Sequence, residues 1–301
     1  MADERKQESF ESTRMTLGEH LDELRSRLFK GVAAVAVAFV FSWLWYDEIS
    51  TFLWRPHFQA VAMINADRVE HYRELLEDDP SLDAGEYFVG PERTRLVEDK
   101  RLSINLIQTA PSESFVFALK TALFVALFIG SPILLWQLWQ FIAAGLYRHE
   151  RRTITRYFPL SLALFVGGVL FGYFLLMPYA MYFFGSIYEI DLVVPQYKVS
   201  EYASMLFSLC LALGLVFQLP ILQVILARLG LVDAATFGKF RPHFVVLAFI
   251  VAAIITPPDP FTQAMMALPM IGLYEVGMLF ARWLGKPRSH PAAGPGASNA
   301  A

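Results

Sequence analysis

Cysteine and charge are both scarce in this sequence. Of its 301 residues, one is a cysteine, Cys210, and 18% are charged. A single cysteine excludes an internal disulfide and a cysteine-based metal cluster, and we read it as a small core residue. A GxxxxGK[ST] phosphate loop and an HExxH zinc motif are also absent, so an ATPase or a zinc peptidase has no residues to support it. We therefore expect no enzyme activity, no metal and no other cofactor.

Apolar residues dominate what remains. The chain is 55% hydrophobic with a mean hydropathy of +0.43, far above a soluble domain of this length. About 20 apolar residues cross a bilayer core of roughly 30 Å. Six apolar runs have this length or come near it: 28–45, 115–141, 157–184, 202–229, 242–256 and 261–283. The sequence therefore predicts an all-α integral membrane protein with six transmembrane helices.

Lysine and arginine predict the orientation of these helices. They concentrate before the first run, between the second and third runs, between the fourth and fifth runs, and in the tail. Because short loops rich in these residues stay inside, both the N and C termini are predicted to be cytoplasmic. The intervening region 57–112 is predicted to be an enlarged acidic outside loop, solvated and able to form a small cap or hairpin.

The N-terminal part predicts an amphipathic helix that leads into the first span. Leucines at 17, 21, 24 and 28 form a helical apolar stripe. Glu23 and Arg27 are four residues apart and could simply pair on the helix surface. We divide the chain into a cytoplasmic tail (1–14), a membrane domain (15–284) and a disordered cytoplasmic tail (285–301), which is rich in Pro, Gly and Ala.

Four motifs occur in a characteristic order: EHLDELRSRL (19–28), FIAAGLYRHERR (141–152), FQLP (217–220) and ITPPDPFTQ (255–263). With this order and spacing, the sequence resembles TatC, the multispanning subunit of the twin-arginine protein translocase, over 15–283. One departure is Ala144, where the family usually has proline. Proline would fix φ at the exit of the second span, whereas alanine leaves it free, and Gly145 could supply the bend instead.

The resemblance implies a function that composition does not. It implies a receptor and core subunit in the bacterial inner membrane that exports folded proteins bearing a twin-arginine signal peptide, driven by the proton-motive force. Implied partners are single-span TatA-like and TatB-like subunits, the signal peptides, membrane lipid and further copies of the chain within a multi-subunit complex. Nucleic acid is not among them.

The resemblance also implies a signal-peptide site. Glu150 of the HERR motif and Glu23 of the ELR motif correspond to acids that recognise the arginine pair. The two planar guanidinium groups of such a pair suit carboxylates that accept two hydrogen bonds each. Phe141, Arg25 and His149 would belong to the same site. On the residues alone, Phe141 could equally be an interfacial aromatic anchor.

Further positions are implied within the membrane and at the outer face. Gln218 and Pro220 of FQLP would contact a partner's transmembrane helix, although Gln218 could instead form a hydrogen bond between helices of this chain. Pro56 and Asp259 would be needed for activity at the outside face, although Asp259 could be a plain turn former. Prolines at 56, 132, 178 and 220 predict kinked helices that form a concave wall.

Two rival functions remain for comparison. A proton-coupled small-solute secondary transporter needs titratable groups near the bilayer midplane, whereas the deep polar residue here is Gln218. An intramembrane protease needs a nucleophile with an adjacent base. Ser161, Ser204 and Ser208 are candidate nucleophiles, but His20, His149 and His243 all lie at the cytoplasmic boundary, too far from the middle of a predicted span to activate them.

Overall fold

The computed structural model of the protein describes residues 17–78, 106–144, 148–187 and 197–284, and for residues 17, 19, 20, 68, 69, 71–73, 75–78, 148–154 and 234 it describes the backbone alone. These residues are almost entirely helical, with one isolated parallel bridge between Ile107 and Lys198. The helices are α1 (Leu17–Leu44), α2 (Tyr46–Leu53), α3 (Arg55–Asp78), α4 (Glu113–Ala144), α5 (Arg148–Phe171), a π-helical segment (Gly172–Leu176), α6 (Met177–Ser186), α7 (Val199–Val216), α8 (Leu219–Arg228), α9 (Ala234–Ile255) and α10 (Pro260–Leu284).

Six helical stretches are long and apolar enough to cross a membrane, which confirms the predicted number of spans. The first lies in α1, the second is α4, the third runs from α5 through α6, the fourth joins α7 and α8, and the last two are α9 and α10. The cytoplasmic orientation of the termini and the concave wall stay predictions.

The first span and its predicted lead-in helix form one continuous helix, α1. Leu21, Leu24 and Leu28 of the apolar stripe are exposed, as expected for a stripe that meets lipid rather than the protein core. The predicted tails, 1–14 and 285–301, lie outside the described residues.

The fifth helix is longer than the apolar run that predicted it. The sequence suggested 242–256, whereas α9 begins at Ala234 and contains Pro242 in its interior. The additional turns carry Lys239 and Arg241, both exposed. Hydropathy located the apolar part of the helix and missed its polar beginning, because a helix can extend beyond the hydrocarbon core into water.

The region that was predicted to be an outside loop begins with helical structure. Of the predicted region 57–112, the part up to Asp78 belongs to α3, and 79–105 lie outside the described residues. α3 packs along α6: Val61 and Ile64 form a buried cluster with Tyr182. A Cβ on Gly185 would lie 2.3 Å from the Ile64 side chain, so this crossing depends on the missing side chain.

Three of the four prolines that were expected to punctuate the helices stand at helix starts. Pro56, Pro178 and Pro220 are each the second residue of their helix, which is α3, α6 and α8 respectively. Pro132 lies inside α4, which continues through it. The helix is interrupted just before Pro56 and just before Pro220, whereas the third span continues through Pro178, and the kinks themselves stay predictions.

The chain forms two compact units. One comprises the described parts of Met1–Leu28, Leu135–Phe165 and Leu215–Ala301, and in it α10 packs against α8 and α9. The other comprises those of Phe29–Leu134 and Val166–Gly214. Its core includes Cys210, which is fully buried as a free thiol and confirms the reading as a small core residue.

Candidate functional site

Glu23 lies on α1 and already binds a guanidinium. Arg27, one turn later, approaches the same carboxylate oxygen, Oε1, with Nη2 at 2.6 Å and Nε at 2.8 Å. Both side chains are about one quarter exposed, at 27% for Glu23 and 25% for Arg27. Within the described residues nothing is bonded to Oε2 of Glu23. The surface pair that the spacing suggested is therefore present, and it occupies one of the two carboxylate oxygens.

Arg27 also connects this acid to the second span. Its Nη1 donates to Oε1 of Gln137 at 3.3 Å. Gln137 lies on α4 one turn before Phe141, which is half-buried on the same helix. Gln137 was not among the predicted site residues. It could have been found as a polar side chain inside an apolar run, four residues before Phe141.

The acid of the HERR motif lies on a helix rather than in a loop. α4 ends at Ala144 and α5 begins at Arg148, so Glu150 and His149 belong to the first turn of α5. A carboxylate in the first turn of a helix is favoured by the partial positive charge at that end. The side chains of Glu150 and His149, and residues 145–147, lie outside the described part of the chain. Arg25 is exposed on α1.

Gln218 occupies the break between α7 and α8 and forms two hydrogen bonds to one residue. Its Nε2 donates to the Ser161 carbonyl at 3.0 Å, and its Oε1 accepts the hydroxyl of Ser161. The Ser161 hydroxyl in turn accepts Nε1 of Trp139 at 2.8 Å. Of the two alternatives for Gln218, the hydrogen bond between helices of this chain is therefore observed.

Pro220, expected to contact a partner helix, is buried within the chain. A Cβ on Gly277 of α10 would lie 2.6 Å from the Cα of Pro220. The backbones of α8 and α10 thus approach closely at this point, as small residues allow in membrane helices. Pro220 sets the start of α8 at this crossing.

Asp259 caps α10. Its carboxylate accepts the backbone N–H of Thr262 at 2.7 Å and also the hydroxyl of Thr262, which is buried. Pro260 occupies the first helical position, where its missing N–H costs nothing. Asp259 is thus a helix cap, a more specific role than the turn former suggested by the sequence.

The residues required by the rival functions are otherwise engaged. Ser204 is exposed, accepts Nζ of Lys120 at 2.9 Å and donates to a backbone carbonyl. Ser208 donates to the carbonyl of Met205. Glu275, a carboxylate near the end of the last span, pairs with Arg241. Among the described side chains, no group of His, Cys, Asp and Glu could hold a metal.

Comparison with known proteins agrees with this architecture. The family model described as "Sec-independent protein translocase protein (TatC)" matches residues 19–269. The chain is 32% identical over 273 residues to the TatC of Magnetococcus marinus, covering 91% of this chain and 86% of that protein. It is 38% identical over 180 residues to the TatC of Helicobacter pylori strain J99, covering 59% and 71%.

A solved structure has the same fold. The "Crystal Structure of Twin Arginine Translocase Receptor- TatC" superposes with a TM-score of 0.67 at 29% identity, covering 88% of this chain and 99% of that one. TatC is a non-enzymatic component of a protein translocase and a multi-pass protein of the bacterial inner membrane. The extent of the family match, the six spans and this superposition together show that the chain belongs to the TatC family.

Proposed function

We propose that this subunit is the receptor of its translocase and binds the paired arginines of twin-arginine signal peptides through Glu150 and Glu23. The observation that carries the proposal is the carboxylate of Glu23, which holds one guanidinium on Oε1 and has no partner on Oε2 among the described residues. A peptide arginine can bind Oε2 beside Arg27, or replace Arg27. Replacement costs little, because a pair four residues apart on a helix contributes about 0.3–0.5 kcal/mol.

The second arginine of the pair would bind Glu150. Phe141 would contact the apolar part of the signal motif, with Arg25 and His149 at the edge of the same site. Gln137 supports this grouping because its bond to Arg27 connects the face of α1 that carries Glu23 with the helix that carries Phe141. Both termini and this site are proposed to face the cytoplasm, where folded cargo is made.

TatA-like and TatB-like single-span subunits are proposed to assemble on the same chain, with transport driven by the proton-motive force. Gln218, which is half-buried, is the proposed polar contact for a partner helix, and Pro220 would act by fixing the break beside it. At the outer face, Pro56 and Asp259 would act by setting helix starts. Self-association and contact with lipid complete the proposed assembly.

Peptide binding tests the receptor role. Membranes containing the chain should bind a synthetic twin-arginine peptide more tightly than a twin-lysine version. Glu23→Gln and Glu150→Gln should each weaken binding about tenfold or more, because a hydrogen bond to a charged group contributes roughly 1.5–3 kcal/mol. Asp22→Asn is the matched control, since Asp22 is an exposed acid directly before Glu23.

Crosslinking gives an independent reading. A photoreactive residue at position 141 or 150 should capture the peptide next to its arginine pair, and excess unlabelled peptide should prevent this. Equal binding of the twin-lysine peptide, together with unchanged binding to Glu150→Gln, would refute the receptor role.

A further inference from the structure

Pro56 breaks a helix beyond the first span, which ends at Leu44, and deprives one carbonyl of its usual partner. In a continuous helix the N–H of residue 56 would donate to the carbonyl of Phe52, but proline has no N–H and its ring crowds that carbonyl. α2 therefore ends at Leu53, and α3 begins at Arg55 after Trp54. We call the segment 52–57 the outer joint.

The Phe52 carbonyl, which loses its usual helical partner at Pro56, accepts a side-chain donor from far along the chain. The hydroxyl of Tyr173 donates to the Phe52 carbonyl, and the rings of these residues stack at 4.7 Å and 8°. Tyr173 belongs to the π-helical segment that precedes Pro178. Such a widened turn shifts the side chains that follow by one position, and these turns are frequent at functional sites.

A second tyrosine bonds the next carbonyl along the chain. The buried Tyr202 donates its hydroxyl to the Leu53 carbonyl at 2.6 Å. In an unbroken helix this carbonyl would accept the N–H of His57. The carbonyls of Phe52 and Leu53 thus both accept a tyrosine hydroxyl from a distant helix.

The outer joint sets the direction of α3. From the joint, α3 continues along α6, where Ile64 packs over Gly185 and Tyr182 donates to Asp67. A change in the angle at the joint would be carried along α3, since a helix extends 1.5 Å per residue as a rigid rod. The joint is therefore the point at which the outer helix is positioned.

We propose that Tyr173 and Tyr202 are positioning residues for transport, which act by holding the outer joint in the geometry that Pro56 imposes. This inference rests on the proposed function, because it assigns to these tyrosines the outside-face role proposed for Pro56. Neither tyrosine would contact the signal peptide. Their loss would therefore impair a step after peptide binding.

A double-mutant cycle tests the inference. In the full translocase, Tyr173→Phe should lower the transport rate about fivefold, the effect of one hydrogen bond. In a Pro56→Ala background the same change should lower the rate less than about twofold, because the alanine N–H supplies the missing donor. Tyr179→Phe is the control: Tyr179 is exposed on the adjacent α6, and its loss should have no effect.

Two further measurements separate positioning from general loss of structure. Peptide crosslinking from position 141 should be unchanged in Tyr173→Phe, whereas amide hydrogen exchange at residues 52–58 should accelerate. Equal losses with and without the Pro56→Ala substitution, or unchanged exchange at the joint, would overturn the proposal. If the unsubstituted chain fails to bind peptide, the receptor role fails, while the exchange cycle still decides whether the tyrosines hold the joint.

Discussion

Two helix breaks in this molecule have the same cause and are stabilised differently. At the outer joint, Pro56 ends a hydrogen-bond ladder, and two tyrosine hydroxyls from distant helices bond the carbonyls of Phe52 and Leu53. At the start of α8, Pro220 interrupts the fourth span, and the side chain of Gln218, from the break itself, bonds Ser161. At the outer joint, distant side chains donate to the backbone of the break. At the α8 break, a side chain of the break itself bonds to another helix.

The difference has a consequence for how each break can fail. In a membrane interior an unsatisfied polar group is costly, so a carbonyl that loses its partner at a proline break needs another donor. At the outer joint these donors are two residues that are 121 and 149 positions away from the carbonyls they bond. Beside the α8 break, the side chains of Trp139, Ser161 and Gln218 form a chain of hydrogen bonds that connects the break with α4 and α5.

The largest effect on stability is expected from Gln218→Leu. The change removes two hydrogen bonds and leaves the carbonyl of the buried Ser161 without this donor, so unfolding should become easier by about 2 kcal/mol. The measurement is the free energy of unfolding in detergent or nanodiscs.

Gln223→Leu is the matched control for this prediction. Gln223 lies on α8, which begins directly after Gln218, and is buried, yet its amide atoms have no hydrogen-bond partner among the described residues. Its replacement by leucine should leave stability unchanged or raise it. Equal losses for the two substitutions would show that the bonds to Ser161 contribute nothing.

Tyr202→Phe should have an intermediate effect of about 1 kcal/mol, because the hydrogen bond to the Leu53 carbonyl is lost. Pro56→Ala should not rescue this variant. The helical partner of the Leu53 carbonyl would be the N–H of residue 57, which is present with either proline or alanine at position 56. The contrast with Tyr173→Phe, which Pro56→Ala should rescue, distinguishes the two tyrosines. If Pro56→Ala rescued both tyrosine variants, the helical hydrogen bonds at the carbonyls of Phe52 and Leu53 would form together rather than independently.

The smallest effect is expected from Trp139→Phe. This substitution removes the indole donor to the Ser161 hydroxyl but leaves both bonds from Gln218 in place. Side-chain hydrogen bonds between membrane helices average about 0.6 kcal/mol, so unfolding should change by roughly that amount. Combined with Gln218→Leu, the loss should be less than additive, and strict additivity would argue against a connected cluster.

The sequence predicted the spans well because a long apolar run in a membrane protein has one common outcome. α4 and α10 match their runs to within a few residues. The polar beginnings of α5 and α9 were missed, since hydropathy does not mark where a helix ends in water. For the same reason α3 was read as part of a loop: its sequence is too polar to signal a span.

The site was predicted by residue type more than by contact. Glu23 with Arg27, and the polar role of Gln218, followed from spacing and from the cost of burying an amide. Gln137, Ser161, Tyr173 and Tyr202 were not selected as site residues, because nothing in a linear pattern shows which distant helix faces a proline break. Prolines are visible in a sequence, whereas the donors that make them tolerable are found only in three dimensions.

The outer joint also contains its own spectroscopic reporter. Trp54, the residue between α2 and α3, lies between the rings of Phe117 at 4.6 Å and Tyr202 at 5.4 Å. Its indole is therefore in contact with one of the two side chains that hold the break. In a variant that retains Trp54 and replaces the other five of the six tryptophans, its emission should report on the joint during a transport cycle, without an attached dye.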